Sequence, residues 1–141
     1  MTSMQTFFIA LADRTRRRIL NLMRDHEICV GDFTEVLDVS QPKISRHLAY
    51  LRNAGIVSAR RDGKWMYYQI TDPEDPYAAQ VLRDTLDWLE SQERMQKDYE
   101  KLKKISTSDY TIRAEPTSPS PDILPETNVY IEREELETYL L

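Results

Sequence analysis

Between Gly55 and Thr71 the hydrophobic period of the chain changes, and that change restricts the fold more than any other feature. Val57, Ala59 and Arg61 alternate with Ser58 and Arg60. Beyond Asp62-Gly63, the segment from Lys64 to Ile70 is rich in aromatic and β-forming residues. Asp-Gly between two such runs predicts a tight hairpin, and Pro73 and Pro76 end it. Elsewhere apolar residues recur at helical steps, so the chain reads as mainly helical α+β with one two-stranded hairpin.

Ser3 is placed to cap a first helix carrying Phe7, Phe8, Ile9, Leu11 and Ala12. Asp13 caps a second, with Ile19, Leu20, Leu22 and Met23 inward and Arg14, Arg16, Arg17 and Arg18 in water. A short third helix fits Val30 to Leu37. The fourth starts at a Ser40 cap, carries Pro42 in its first turn, where a missing N–H costs nothing, and ends at Gly55. After the hairpin, one long helix is expected from about Tyr77 to Lys104. Its stripe of Val81, Leu82, Leu86, Trp88, Leu89, Met95, Tyr99 and Leu102 suits a partner subunit, joined by Tyr77, Phe7 and Phe8.

Three helices, a turn, a fourth helix and a hairpin form the order of a winged helix-turn-helix with terminal dimerisation helices. The net charge of −5 speaks against a polyanion partner until it is divided along the chain. Residues 1–70 carry eleven Lys/Arg against seven Asp/Glu, residues 71–104 six against nine, and residues 105–141 two against eight. A basic front is followed by acidic rear parts. The expected organisation is therefore a body over 1–104 and a Pro/Ser/Thr-rich acidic tail over 105–141, with a short terminal helix from Val129 to Leu141. No apolar run approaches the roughly 20 residues of a membrane span, and the N-terminus lacks signal-peptide features, so a cytoplasmic protein is expected. The single Cys29 excludes an intrachain disulfide and a four-thiolate metal site.

Leu11-Ala12-Asp13-Arg14-Thr15-Arg16-Arg17-Arg18-Ile19-Leu20, Gln41-Pro42-Lys43-Ile44-Ser45-Arg46-His47-Leu48 with Leu51, and Gly63-Lys64-Trp65 with Tyr67-Tyr68 resemble the ArsR/SmtB family of dimeric repressors. The resemblance runs roughly from Phe7 to Trp88; Arg14 stands where the family usually has proline. It implies a homodimer occupying an inverted-repeat operator in double-stranded DNA, with the fourth helix in the major groove. The residues support that placement independently. At about 100° per residue, Ile44, Leu48 and Leu51 form one buried seam, with Arg46 nearly opposite, Ser45 and Lys43 on the flanks and Gln41 at the leading end. Arg reads guanine bidentately, Gln and Ser contact bases or phosphates, and Lys finds phosphate. His47 lies nearer the seam, as packing or a secondary phosphate contact. Arg60, Arg61 and Lys64 suit a wing along the backbone or minor groove. A solvated helix face and a solvated turn are the bland alternatives.

His26 to Phe33 resembles the segment in which arsenic-sensing members hold their inducer on a Cys-Val-Cys-Asp pattern. Here Gly31 and Thr34 occupy the other thiolate positions, so those ligands do not carry over to Cys29 alone. The carboxylates Asp84, Asp87 and Glu90 lack a histidine for a zinc site. No metal or cofactor is expected. Cys29 stays a ligand or redox candidate, with an inert small residue as the other reading, and the release signal, metalloid or redox, stays open. With three glycines and no nucleophile–base pair, no catalytic residue is assigned and an enzyme is not expected. The other readings are a redox-responsive regulator acting through Cys29 and a protein-interaction module that has lost sensing.

Overall fold

The computed structural model describes residues 3–108. In chain order these form α1 (Met4–Ala12), α2 (Arg14–Leu22), β1 (Ile28–Cys29), α3 (Val30–Leu37), α4 (Gln41–Asn53), β2 (Val57–Asp62), β3 (Trp65–Ile70), α5 (Pro76–Glu90) and α6 (Glu93–Ser108). The winged helix-turn-helix order is present. α6 runs on to Ser108, so residues 105–108, expected in the tail, continue the helix; expectations placed on 109–141 lie outside the described residues.

Local chemistry sets the helix ends. Ser3 Oγ accepts from the Thr6 N–H at 3.1 Å, and Asp13 Oδ2 from the Arg16 N–H at 2.9 Å. Asp13 thus closes α1 and opens α2 in one extended residue. α3 ends at Asp38, whose φ of 54° is the only positive value at a non-glycine among the described residues. Its N–H reaches the Thr34 carbonyl at 3.0 Å, a left-handed cap that turns the chain into α4. Ser40 precedes α4 without a side-chain cap bond, and Gly55 follows it at φ 79°. The core gathers Ile19, Leu20, Leu22, Phe33, Ile44, Leu48, Leu51 and Ile56 from four segments. Each such side chain taken from water is worth about 1.5–3 kcal/mol.

Four further sequence expectations need correction. The sheet has three strands rather than two, in the order β1-β3-β2, all antiparallel. β1 is two residues long, too short for any alternation to show. Within the hairpin, Asp62 pairs with Trp65, so the loop residues are Gly63 and Lys64 and not Asp62-Gly63. Gly63 takes the positive φ, 62°, that a primed hairpin turn requires at its first position.

The long helix expected to Lys104 is two helices. Ser91 and Gln92 N–H groups bond back three residues, to the Trp88 and Leu89 carbonyls at 3.1 and 2.9 Å, which tightens and ends the last turn. Gln96 Nε2 reaches the Glu90 carbonyl at 3.1 Å across the corner. α6 then turns back over α2 and α3. Met95 and Leu102, assigned to a partner subunit, are buried in their own chain, as are Leu82, Leu89 and Phe7. Fourth, the arginines of α2 do not all stay in water. Arg14 alone is exposed, and Arg16 is wholly buried.

Candidate nucleic-acid interface

α4 is held by Ile44, Leu48 and Leu51, all at zero exposure. Lys43, Arg52 and Asn53 are exposed, and Gln41 and Arg46 are partly so. Ser45 parts from this set. At 8% exposure it lies with Ala49 on a widened inner face, because two small residues four apart let neighbouring elements close over them. His47 is turned toward α2, with Nδ1 3.4 Å from Arg16 Nη1 and 3.8 Å from Asp13 Oδ2. Its position is a packed one. The Gln41 amide nitrogen is buried without a hydrogen-bond partner among the described residues.

The wing splits its cations. Arg61 and Lys64 are exposed at the hairpin tip. Arg60 instead makes a two-point ion pair with Glu27, Nη2 to Oε1 at 2.5 Å and Nε to Oε2 at 3.1 Å. Its guanidinium lies 4.9 Å from the centre of the Tyr67 ring, and Asp62 Oδ2 is 3.7 Å from Nη1. The bonds from Arg60 hold the Glu27 carboxyl below its ordinary range, and Glu27 in turn raises Arg60. Sequence reasoning missed Glu27 because its partner is 33 residues away across β3. β1 joins the same unit, with Cys29 opposite Tyr67 and Ile28 opposite Tyr68.

Cys29 is 3% exposed at the start of α3, whereas His26 is exposed. Thr34 Oγ1 donates to the Gly31 carbonyl at 2.7 Å, so the position of a further thiolate is occupied by a local backbone contact. Among the described residues no three His, Cys, Asp or Glu side chains are grouped to hold a metal ion. No helix there is long and apolar enough to cross a membrane.

α2 and the turn that follows it supply a second set of cations. Arg18 meets Asp98 of α6 through two bonds of 2.8 and 2.9 Å, which raise the arginine against the opposing effect of burial. Asn21 Nδ2 donates to the Met95 carbonyl at 2.8 Å. Arg24 pairs with Glu90 at 3.0 Å and stacks on Tyr99, whose hydroxyl bonds to Asp25. The one signal in the sequence was Asp98, a carboxylate between the apolar Met95 and Leu102.

The geometry has close counterparts. The family model for the bacterial regulatory protein, arsR family, matches residues 13–59. The arsenical resistance operon repressor of Escherichia coli is 42% identical over 90 residues, covering 63% of this chain and 75% of the repressor. The chain belongs to the ArsR family. The arsenic resistance transcriptional regulator ArsR1 of Pseudomonas putida is 46% identical over 81 residues, covering 57% of this chain and 63% of that one. The chain therefore spans somewhat less than two thirds of that relative's length. The transcriptional repressor BigR from Xylella fastidiosa superimposes with a TM-score of 0.54 at 27% identity, covering 63% and 85% of the two chains. The ArsR family match runs from the Asp13 cap through α4 into β2, and so contains the helix-turn-helix but neither α5 nor α6.

Proposed function

We propose that this ArsR-family chain is a DNA-binding transcriptional repressor that occupies an inverted-repeat operator as a homodimer in the cytoplasm. The observation that carries the reading is α4 itself, a helix pinned by one apolar seam with Lys43 and Arg46 on its outer side. Arg46 reads bases in the major groove, Gln41 contacts the leading end, and Lys43 neutralises phosphate. Arg61 and Lys64 follow the backbone from the wing tip, while Arg60 orders the wing through Glu27. The body through the end of α6 at Ser108 forms the reading and dimerisation unit, and 109–141 an acidic appendage.

The dimer reading rests on apolar surface left uncovered on α1 and α5. Met4, Phe8, Tyr77 and Trp88 are large and exposed, and a cavity of about 560 Å³ opens among α1, the start of α5 and the segment 71–75, with Phe7, Phe8, Ala78 and Val81 on its apolar side and Asp72 and Glu74 on its polar side. A self-complementary interface on these helices gives a two-fold dimer that carries two copies of α4. The relatives from Escherichia coli and Pseudomonas putida are arsenic-resistance regulators, but the paired thiolates of an arsenic site are missing here, where Gly31 and Thr34 stand.

Fluorescence anisotropy on the DNA upstream of its own gene tests the reading. Arg46→Ala should cost roughly 1–3 kcal/mol of operator affinity and relax base preference, whereas Arg61→Ala should weaken all sequences similarly. Operator affinity unchanged by Arg46→Ala at fixed salt would remove α4 from the groove. Sedimentation of a folded monomer at micromolar concentration would remove the dimer.

A further inference from the structure

Arg16 was expected in water and is instead completely buried. Burying a guanidinium is strongly unfavourable unless its donors are used, so its partners show what the position demands. Nε donates to the Ala10 carbonyl and Nη2 to the Ile9 carbonyl, both at 2.9 Å. The neighbouring Arg17 Nη1 reaches the Leu11 and Ala12 carbonyls at 3.0 and 2.7 Å. Those are the last four carbonyls of α1, the acceptors that a helix C-terminus leaves without intrahelical donors. The negative end of α1 also favours a cation there.

The other side of the same guanidinium faces α4. Nη1 lies 3.4 Å from His47 Nδ1, and the central carbon sits 4.2 Å from the centre of the Tyr50 ring. His47 and Tyr50 are one turn apart, so they share a face of α4. α1 packs chiefly on α2, and this planar group carries its end across to the helix that bears Lys43 and Arg46. A lysine ammonium cannot serve two fixed carbonyls, an imidazole and a ring face from one point.

We propose that Arg16 is a positioning residue that fixes the angle between α1 and α4 and thereby sets the half-site spacing the dimer accepts. The inference rests on the dimeric repressor reading, in which α1 lies at the interface and α4 in the groove. Two recognition helices of such a dimer must lie about 34–36 Å apart, one turn of the duplex. One inserted base pair displaces a half-site by about 3.4 Å and rotates it about the axis, a misfit that only a rigid α1–α4 angle penalises strongly.

The test uses the full chain and an inverted repeat that the wild type selects from a random duplex library. Affinity is measured for that duplex, for versions with one base pair inserted or deleted at the centre, and for one with a single half-site. The wild type should lose at least about tenfold on either spacing change. In Arg16→Lys that ratio should fall below about threefold while single-half-site affinity stays within about twofold. A merely structural role would lower all three affinities together and leave their ratios intact, and that result would overturn the proposal. Should Arg16→Lys fail to fold by circular dichroism, Tyr50→Leu removes the ring but keeps the carbonyl bonds, and the same loss of ratio is required of it. A wild type that tolerates the spacing changes within twofold also overturns it, with no variant needed. Absence of any preferred duplex would instead sink the repressor reading, and the inference with it.

Discussion

α2 and α4 look alike as basic helices, yet the structure uses their cations in opposite ways. On α2, Arg16 and Arg17 take up the carbonyl end of α1, and Arg18 is matched to Asp98 of α6. On α4, Lys43 is exposed and Arg46 partly so. The difference lies in what each guanidinium can reach. α2 runs between a helix terminus and a buried carboxylate, whereas the outer side of α4 faces solvent. A count of positive charge locates a basic region. Only the reach to acceptors separates cations that hold the fold from cations left to meet a polyanion.

The largest effect that would break this comparison comes from α2. Asp98→Ala leaves Arg18 without its buried partner and should destabilise the fold by about 3 kcal/mol, near the lower end for such pairs because Arg18 keeps some water. Urea unfolding measures it, and a loss below about 1 kcal/mol would mean that the other α2–α6 contacts hold α6 without this pair. Next comes α4. Lys43→Ala should weaken every DNA sequence alike and lower the salt dependence of binding by about one phosphate contact, with the melting temperature unchanged. A change in base preference would move Lys43 from phosphate to base reading.

A third prediction concerns the segment before α3. Arsenite at stoichiometric levels should leave the wild type on its DNA, since Cys29 lacks a second thiolate. A Cβ built on Gly31 meets nothing within 4 Å, and its φ is not positive, so Gly31→Cys should fold like the wild type. That variant supplies the second soft ligand and should bind arsenite measurably more tightly. Arsenite release of the wild type, abolished by Cys29→Ser, would show that one thiolate suffices.

The smallest effect is at the wing. Glu27→Gln removes the carboxylate that holds Arg60, so DNA affinity should rise slightly at low salt and the gain should vanish as salt rises. Weaker binding would instead make Glu27 an aid to the wing's shape. The pH dependence has a fixed sign. The Glu27 carboxyl titrates below its ordinary value, so the pair contributes fully above that value. Its contribution is lost as pH falls through the depressed folded value, which Glu27→Gln should abolish.

Much of the fold was legible in residue order. The caps Ser3 and Asp13, the span Val30–Leu37, Gly55 after α4 and the existence of a hairpin, though not its turn residues, follow from local chemistry and stand as expected. The division of α5 from α6 was hidden because apolar spacing continues past Ser91 and Gln92, and only a pair of three-residue hydrogen bonds marks the corner. β1 was hidden by length. In the candidate interface, the outer side of α4 follows from its seam, but the burial of Ser45 depends on Ala49 beside it. The engagement of Arg60 and Arg16 depends on acceptors brought by other elements. A long flexible side chain is compatible with either fate until the fold supplies its neighbours.

The contact between Arg18 and Asp98 joins residues 80 positions apart, and it has a consequence for how the protein is made. Synthesis runs from the N-terminus, so α1 to α4 leave the ribosome well before α6 exists. Until Asp98, Met95 and Leu102 emerge, the α6-facing side of α2 has neither its carboxylate nor its apolar cover. A nascent chain therefore carries a reading helix on a body that is not yet closed. A product cut short before α6 leaves that side of α2 uncovered, with Arg18 unmatched, the kind of exposed surface that favours aggregation of incomplete chains.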